Sequence, residues 1–197
     1  MKKFIAILFV TISLLTLALC GCGSKTPDKL NADGEITYNT RQDYSGIQGY
    51  KNWYYLTARD SLEDTEYMIW DEEMCTWRMN DINCLIEPNI VHPGQLDQVI
   101  RAWKAPADGK VSYASQLQRR PVNRNGIGQD GCYVYVALSD DEVLYDNVFD
   151  QLDLDMHDIS GQVNVKKGEM IYFVLNCNGN YTFDQTYWDI TITFKKA

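Results

Sequence analysis

Read from its N-terminus, the chain passes through three patterns of apolar and polar positions. Residues 4–19 are apolar apart from Thr11, Ser13 and Thr16, and follow Lys2 and Lys3. A run of that length behind a positive start predicts a signal-peptide core, and it is short for a membrane-spanning helix. Residues 22–43 are polar, rich in Gly, Pro, Asn and Asp, and show no sustained apolar period. They predict a flexible tether. From Tyr44 to residue 197 the chain becomes a series of short Trp-, Tyr-, Val- and Ile-bearing runs separated by Gly, Pro, Asn and Asp. No stretch of ten or more residues there carries a helical period. The pattern predicts one all-β domain over 44–197, a two-sheet antiparallel sandwich of jelly-roll type.

The predicted strands are 53–58, 66–71 followed by 76–79, 98–104, 110–118, 132–138, 162–165, 170–177 and 188–194. Asp108-Gly109 between two of them favours a tight reversal. An acidic loop is expected after 138. Alternation sorts the side chains within each strand. Cys132, Val134, Val136 and Leu138 share a face, with Tyr133 and Tyr135 opposite. Ile171, Phe173, Leu175 and Cys177 share a face, with Tyr172 opposite. Trp188, Ile190, Ile192 and Phe194 share a face, with Tyr187 opposite. The aliphatic sets predict the core between the sheets. The opposite sets put tyrosines where water would be.

The segment Leu19-Cys20-Gly21-Cys22 refines the address. It has an aliphatic residue at −3 and a small one at −1 relative to Cys22, the arrangement of a lipoprotein signal. Cys20 fits less well, because Leu19 would then fill the position that takes a small side chain. The expectation is cleavage after residue 21 and lipidation of Cys22. The protein would then be held on the extracytoplasmic face of a cell membrane, since each buried CH₂ of a lipid chain contributes about 0.8 kcal/mol. Loss of Lys2 and Lys3 with the signal leaves sixteen basic against twenty-seven acidic residues, a net charge of −11. That sign argues against nucleic acid as a partner. Four cysteines remain, and oxidising surroundings permit disulfides. Cys75 and Cys84 flank an expected hairpin and are the pair better placed for a bridge. Cys132 and Cys177 lie in strand-like runs and read as core.

Several segments taken in order carry a resemblance. They are residues 48–55 (QGYKNWYY), His92-Pro93-Gly94, residues 101–109 (RAWKAPADG), residues 130–134 (DGCYV), residues 165–174 (VKKGEMIYFV) and Tyr187-Trp188-Asp189. Over 48–194 the chain resembles a bacterial β-sandwich module of secreted polysaccharide-acting proteins, similar to carbohydrate-binding modules. The resemblance implies a jelly roll and a role in glycan binding. Here the module is expected to stand alone on its tether, without a catalytic domain.

Candidate chemistry follows from the aromatic stock of five Trp and thirteen Tyr. Sugars lay their C–H faces on flat rings while polar neighbours take the hydroxyls. Tyr133, Tyr135, Tyr172 and Tyr187 are candidates because alternation turns them off the aliphatic face. Trp53, Tyr54, Trp70 and Trp77 are candidates because they lie near strand ends or hairpins. The competing assignment puts Trp53, Trp103 and Trp188 in the core and pairs the tyrosines across strands. Carboxylates at Asp140, Asp141, Glu142, Asp146, Asp150, Asp153, Asp155 and Asp158 crowd one segment, and Asn123 to Gly131 offers further oxygens. Either loop could hold a structural calcium, although no EF-hand spacing is present. His92 and His157 stand in different loops and form neither a triad nor a zinc set. No nucleophile elbow, zincin, P-loop or dinucleotide motif occurs, so no enzyme activity is expected. The sequence thus predicts a non-catalytic lipoprotein whose sandwich binds a polysaccharide or cell-envelope glycan. The alternative is a structural lipoprotein that binds another envelope protein.

Overall fold

The computed structural model describes residues 31–32, 34–79, 83–120 and 130–197. Cys22, the expected signal segment and residues 123–129 of the second candidate calcium segment lie outside the described residues. Among those described there are fourteen strands. In chain order they are β1 (Glu35–Asn39), β2 (Trp53–Ala58), β3 (Glu66–Tyr67), β4 (Ile69–Asp71), β5 (Thr76–Arg78), β6 (Leu85–Ile86), β7 (Ile90–His92) and β8 (Gln98–Lys104). These are followed by β9 (Gly109–Arg119), β10 (Cys132–Ser139), β11 (Glu142–Phe149), β12 (His157–Val165), β13 (Met170–Asn176) and β14 (Thr186–Lys196).

They form two antiparallel sheets, an all-β sandwich of the expected class. One has the order β12-β9-β14-β7-β6-β5-β4, with β1 added beside β14. The other runs β11-β10-β13-β8-β2-β3. Alternation builds the core as expected: Val134, Val136, Ile171, Phe173 and Leu175 from the six-stranded sheet meet Val111, Leu117, Trp188, Ile190, Ile192 and Phe194 from the other. At roughly 25 cal/mol per Å² of apolar surface removed from water, this interface is the main stabilising term.

Arg101 of β8 points into this core and is 1% exposed. Its Nη1 donates to the Trp188 carbonyl (2.5 Å) and its Nη2 to the Glu87 carbonyl (2.6 Å). A buried cation needs such acceptors, and here they tie one sheet to the other. At the start of β10, Gly131 has φ +86, and a Cβ there would come 2.0 Å from the Phe149 carbonyl oxygen. Only glycine lets β11 return that closely.

Three expectations are corrected. Residues 35–39, read as tether, form β1, with Ile36 opposite Phe194 and Tyr38 opposite Ile192. Tyr38 is 1% exposed and its ring lies 5.3 Å from that of Trp103. The strand is short and otherwise polar, so its apolar period is too brief to stand out. The acidic segment after 138 is not one loop: Glu142–Phe149 form the edge strand β11, which carries Glu142 and Asp146, while Asp140 and Asp141 lie in the turn before it, Asp150, Asp153 and Asp155 in the loop after it, and Asp158 in β12. The Cys75–Cys84 bridge is not formed: both are thiols, Cys75 exposed and Cys84 buried. Trp77 pairs with Ile86 and Arg78 with Leu85, and the Met79 N–H donates to the Cys84 carbonyl. Cys75 is therefore about four residues, ~13 Å of strand, out of register with Cys84. A disulfide needs Cα atoms within about 7 Å.

Candidate functional site

The outer face of the six-stranded sheet carries the aromatic side chains that alternation turns away from the core. Registers lay them out in rows. Tyr133 stands between Val148 of β11 and Asn176 of β13, and Tyr135 between Asp146 and Val174. Tyr172 stands between Ala137 and Ala102, and Tyr54 also lies beside Ala102. Tyr67 pairs with Leu56 at the far edge. Leu56, Ala58, Leu62, Ile100, Ala102, Ala137 and Val174 make a second apolar cluster on this face, and Tyr54, Tyr135, Met170 and Tyr172 pack around it half-buried.

The rings fall into two groups. Tyr133 and Tyr135 stack at 5.3 Å between centroids and 29° between planes. The Tyr135 hydroxyl donates to Gln98 Oε1 at 3.0 Å, reaching across β13 to β8. The Tyr133 hydroxyl lies 3.4 Å from Asp146 Oδ2. Burial pushes the Tyr135 hydroxyl up to about 12. Burial also raises Tyr133 and Tyr172, so all three are neutral donors at physiological pH. Across the face, Tyr54 and Tyr67 lie 6.2 Å apart at 33°, and Lys104 Nζ stands 6.0 Å from the centre of the Tyr54 ring. Beside Tyr172 and Met170 is an open cleft of about 430 Å³, also lined by Glu142 and Glu169.

A strap crosses this face. The β2–β3 connection makes a single 3-10 turn, Leu62–Asp64, whose N-cap Ser61 accepts from the Glu63 N–H. Leu62 is 5% exposed and sits in the outer apolar cluster. Asp140, in the β10–β11 turn, receives the Ser61 hydroxyl at 2.5 Å and the Leu62 N–H at 2.8 Å. These bonds hold the Asp140 carboxyl below its ordinary value, the Ser61 hydroxyl contributing most. Register shifts after Val136 and Ala137 leave one extra residue in each strand of this hairpin, Leu144 in β11 and Leu138 in β10. A bulge bends its strand, and here it accompanies the meeting of the hairpin tip with Ser61 and Leu62.

Of the sequence candidates, Tyr54, Tyr133, Tyr135 and Tyr172 thus share one face. Tyr187 does not join them: it pairs with Gln118 and Ile90 on the eight-stranded sheet. Trp53 (0% exposed) and Trp77 (3% exposed) are core. Trp53 lies 6.4 Å from Phe173. Trp77 stacks on Tyr55 at 5.0 Å and donates from Nε1 to the Ser45 carbonyl. The half-buried Trp70 packs on Trp77 and Tyr44. Their work is to seat residues 44–48. Sequence reasoning missed Tyr67, Gln98, Leu62 and the clasp role of Asp140. Tyr67 was masked because the chain changes sheets at the buried Met68, which breaks the alternation of 66–71.

The crowded carboxylates are spread out. Asp146 meets Tyr133, Asp153 meets His157 Nε2 at 2.8 Å, and Asp158 meets Gln116. Among the described residues no group of three or more His, Cys, Asp or Glu is placed to hold a metal ion. Another cleft, about 550 Å³, is lined by Arg59, Asp60, Asp64, Glu66 and Asp97 but by no aromatic ring.

No family model and no curated protein matches the chain. Among solved structures it is similar to an arabinose-bound α-L-arabinofuranosidase, at 12% identity over 83% of this chain and a TM-score of 0.41. It spans 27% of that protein's length. It is similar to the carbohydrate-binding module of a Cellvibrio mixtus lichenase in complex with cellotriose, at 12% identity, 82% of this chain, 97% of that one and a TM-score of 0.29. It is also similar to the C-terminal CBM6 of a marine laminarinase from Zobellia galactanivorans, at 16% identity, 51% of this chain, 80% of that one and a TM-score of 0.27.

Proposed function

We propose that the protein is a lipoprotein, anchored through Cys22 on the extracytoplasmic side of a membrane, whose sandwich binds glycan without acting on it. One observation carries the reading. Tyr54, Tyr67, Tyr133, Tyr135 and Tyr172 share a single outer face, and Tyr133 and Tyr135 form a stacked pair beside Gln98, Asn176 and Asp146. Flat apolar rings take the C–H face of a sugar, and the amide and carboxylate groups at the ring edges take its hydroxyls. The pre-formed sheet limits what must be ordered on binding. Affinity for one chain is modest, and dense display on a membrane would raise it by avidity.

The test is a glycan array probed with the soluble 24–197 fragment, with calcium and with chelator. Tyr133→Ala and Tyr135→Ala are each expected to weaken binding about tenfold, ~1.4 kcal/mol. Tyr187→Ala, on the other sheet, should leave it unchanged. A folded fragment that leaves the array blank would overturn the reading. Binding lost only in chelator would move the site to the carboxylates.

One observation favours a protein partner instead. Leu152, Leu154 and Met156 are 77%, 39% and 57% exposed on the β11–β12 loop. Crosslinking in the native envelope through that loop is the measurement for this second reading.

A further inference from the structure

The strap divides the tyrosine face. It leaves the sheet at the end of β2, beside Ala58, and meets Asp140 beyond the opposite end of β10. These points lie diagonally across the rows. The Tyr133–Tyr135 stack occupies one corner, with Asn176, Gln98 and Asp146. Tyr54, Tyr67, Lys104 and Met170 occupy the other, with Tyr172 beside them. Between the corners stands Leu62, in one apolar cluster with Ile100, Ala102 and Val174 and almost wholly removed from water. A side chain buried on the sheet in this way leaves its underside closed to solvent. The Tyr133–Tyr135 corner covers β11, β10 and β13, ~10 Å across, the length of a disaccharide.

From this division, and resting on the glycan reading above, we infer that the protein takes short or terminal stretches of a glycan rather than long internal runs, and that Leu62 and Asp140 set that limit. A linear chain laid from the β11 edge towards β3 ends against the strap. Each corner offers one aromatic pair and its own polar neighbours, and no continuous track joins them. Asp140 acts through the strap: it touches no sugar and holds Leu62 in place with the bonds to Ser61 and the Leu62 N–H. Leu62 is the side chain that closes the path.

The experiment measures affinity against chain length. Full-length protein in a non-glycosidic detergent is titrated with β-1,3- and β-1,4-gluco-oligosaccharides from the disaccharide upward, with the corresponding polymers, and with the same length series of any other glycan the array returns. The expected result is an affinity that levels off at short oligosaccharides and a number of proteins bound per chain that does not grow with length. Asp140→Ala, and independently Leu62→Ala, should shift the plateau to longer chains and raise polymer affinity several-fold, while the shortest ligands bind as before. Affinity that climbs steadily to the polymer in the wild type, with many proteins per chain, would overturn this inference and leave the glycan reading standing. A plateau that both variants leave unmoved would overturn the strap as its cause. Absence of binding at every length would overturn the glycan reading and this inference together.

Discussion

Arg119 and Asp184 are each 1% exposed and 2.9 Å apart, the one ion pair among the described residues buried on both sides. Arg119 also donates to the Asp150 and Phe183 carbonyls, so one guanidinium gathers two loops at one end of the sandwich. Removing one partner of such a pair leaves a charge buried without its counter-ion. Asp184→Ala is therefore expected to destabilise the fold by about 3–5 kcal/mol, read as a lowered denaturation midpoint in urea at unchanged slope. Asp140 is a different case, exposed and held below its ordinary value by Ser61 and Leu62. A depressed carboxyl contributes stability that is complete above its unfolded value, near 3.9, and is lost as pH falls through the folded one. Thermal midpoints of wild type and Asp140→Asn should differ at neutral pH and converge in acid. A gap that stays constant down to the acid end would separate the clasp from the carboxylate's charge.

At the level of elements, β2, β8, β10, β13 and β14 were legible because each is long enough for two or three repeats of the apolar–polar period. The face that each residue takes was legible with them, which is how Tyr133, Tyr135 and Tyr172 were found. β6 and β7, at two and three residues, are too short to show a period, and β11 is exposed or half-buried at every position but Phe149, so it carries no apolar–polar alternation. Trp53 and Trp77 were misplaced for a related reason. Nearness to a strand end says nothing of depth, and Trp77 belongs to a strand that turns its ring onto Tyr55. The strap was illegible in principle, since the Asp140–Ser61 contact joins residues 79 apart. β1 allows a direct test. A chain starting at Tyr44 lacks the strand that lies on β14, so Ile36 and Tyr38 no longer cover their share of the core. It should be markedly less stable than a chain starting at residue 31, and β14 should gain amide hydrogen exchange along Thr191 to Lys195. Equal stability of the two chains would mean that β1 is an ornament on the sheet.

For the whole molecule, both ends of the folded chain lie in the same place. Glu35 pairs with Lys195, and β1 runs inward from there to Asn39. Asn39 Nδ2 then donates to Asp189 Oδ1 and to Thr191 Oγ1, and the Thr40 hydroxyl to the Ile190 carbonyl. This arrangement has a mechanical meaning. Any pull on the chain ahead of Glu35, directed along β1, slides that strand past β14 instead of peeling it away. The rungs of the ladder then share the load simultaneously, and the Asn39 side chain at its inner end adds its bonds to theirs. A sandwich gripping an immobile surface through its tyrosines would hold under tension at this seam, whose strength is set by five backbone pairs and one asparagine.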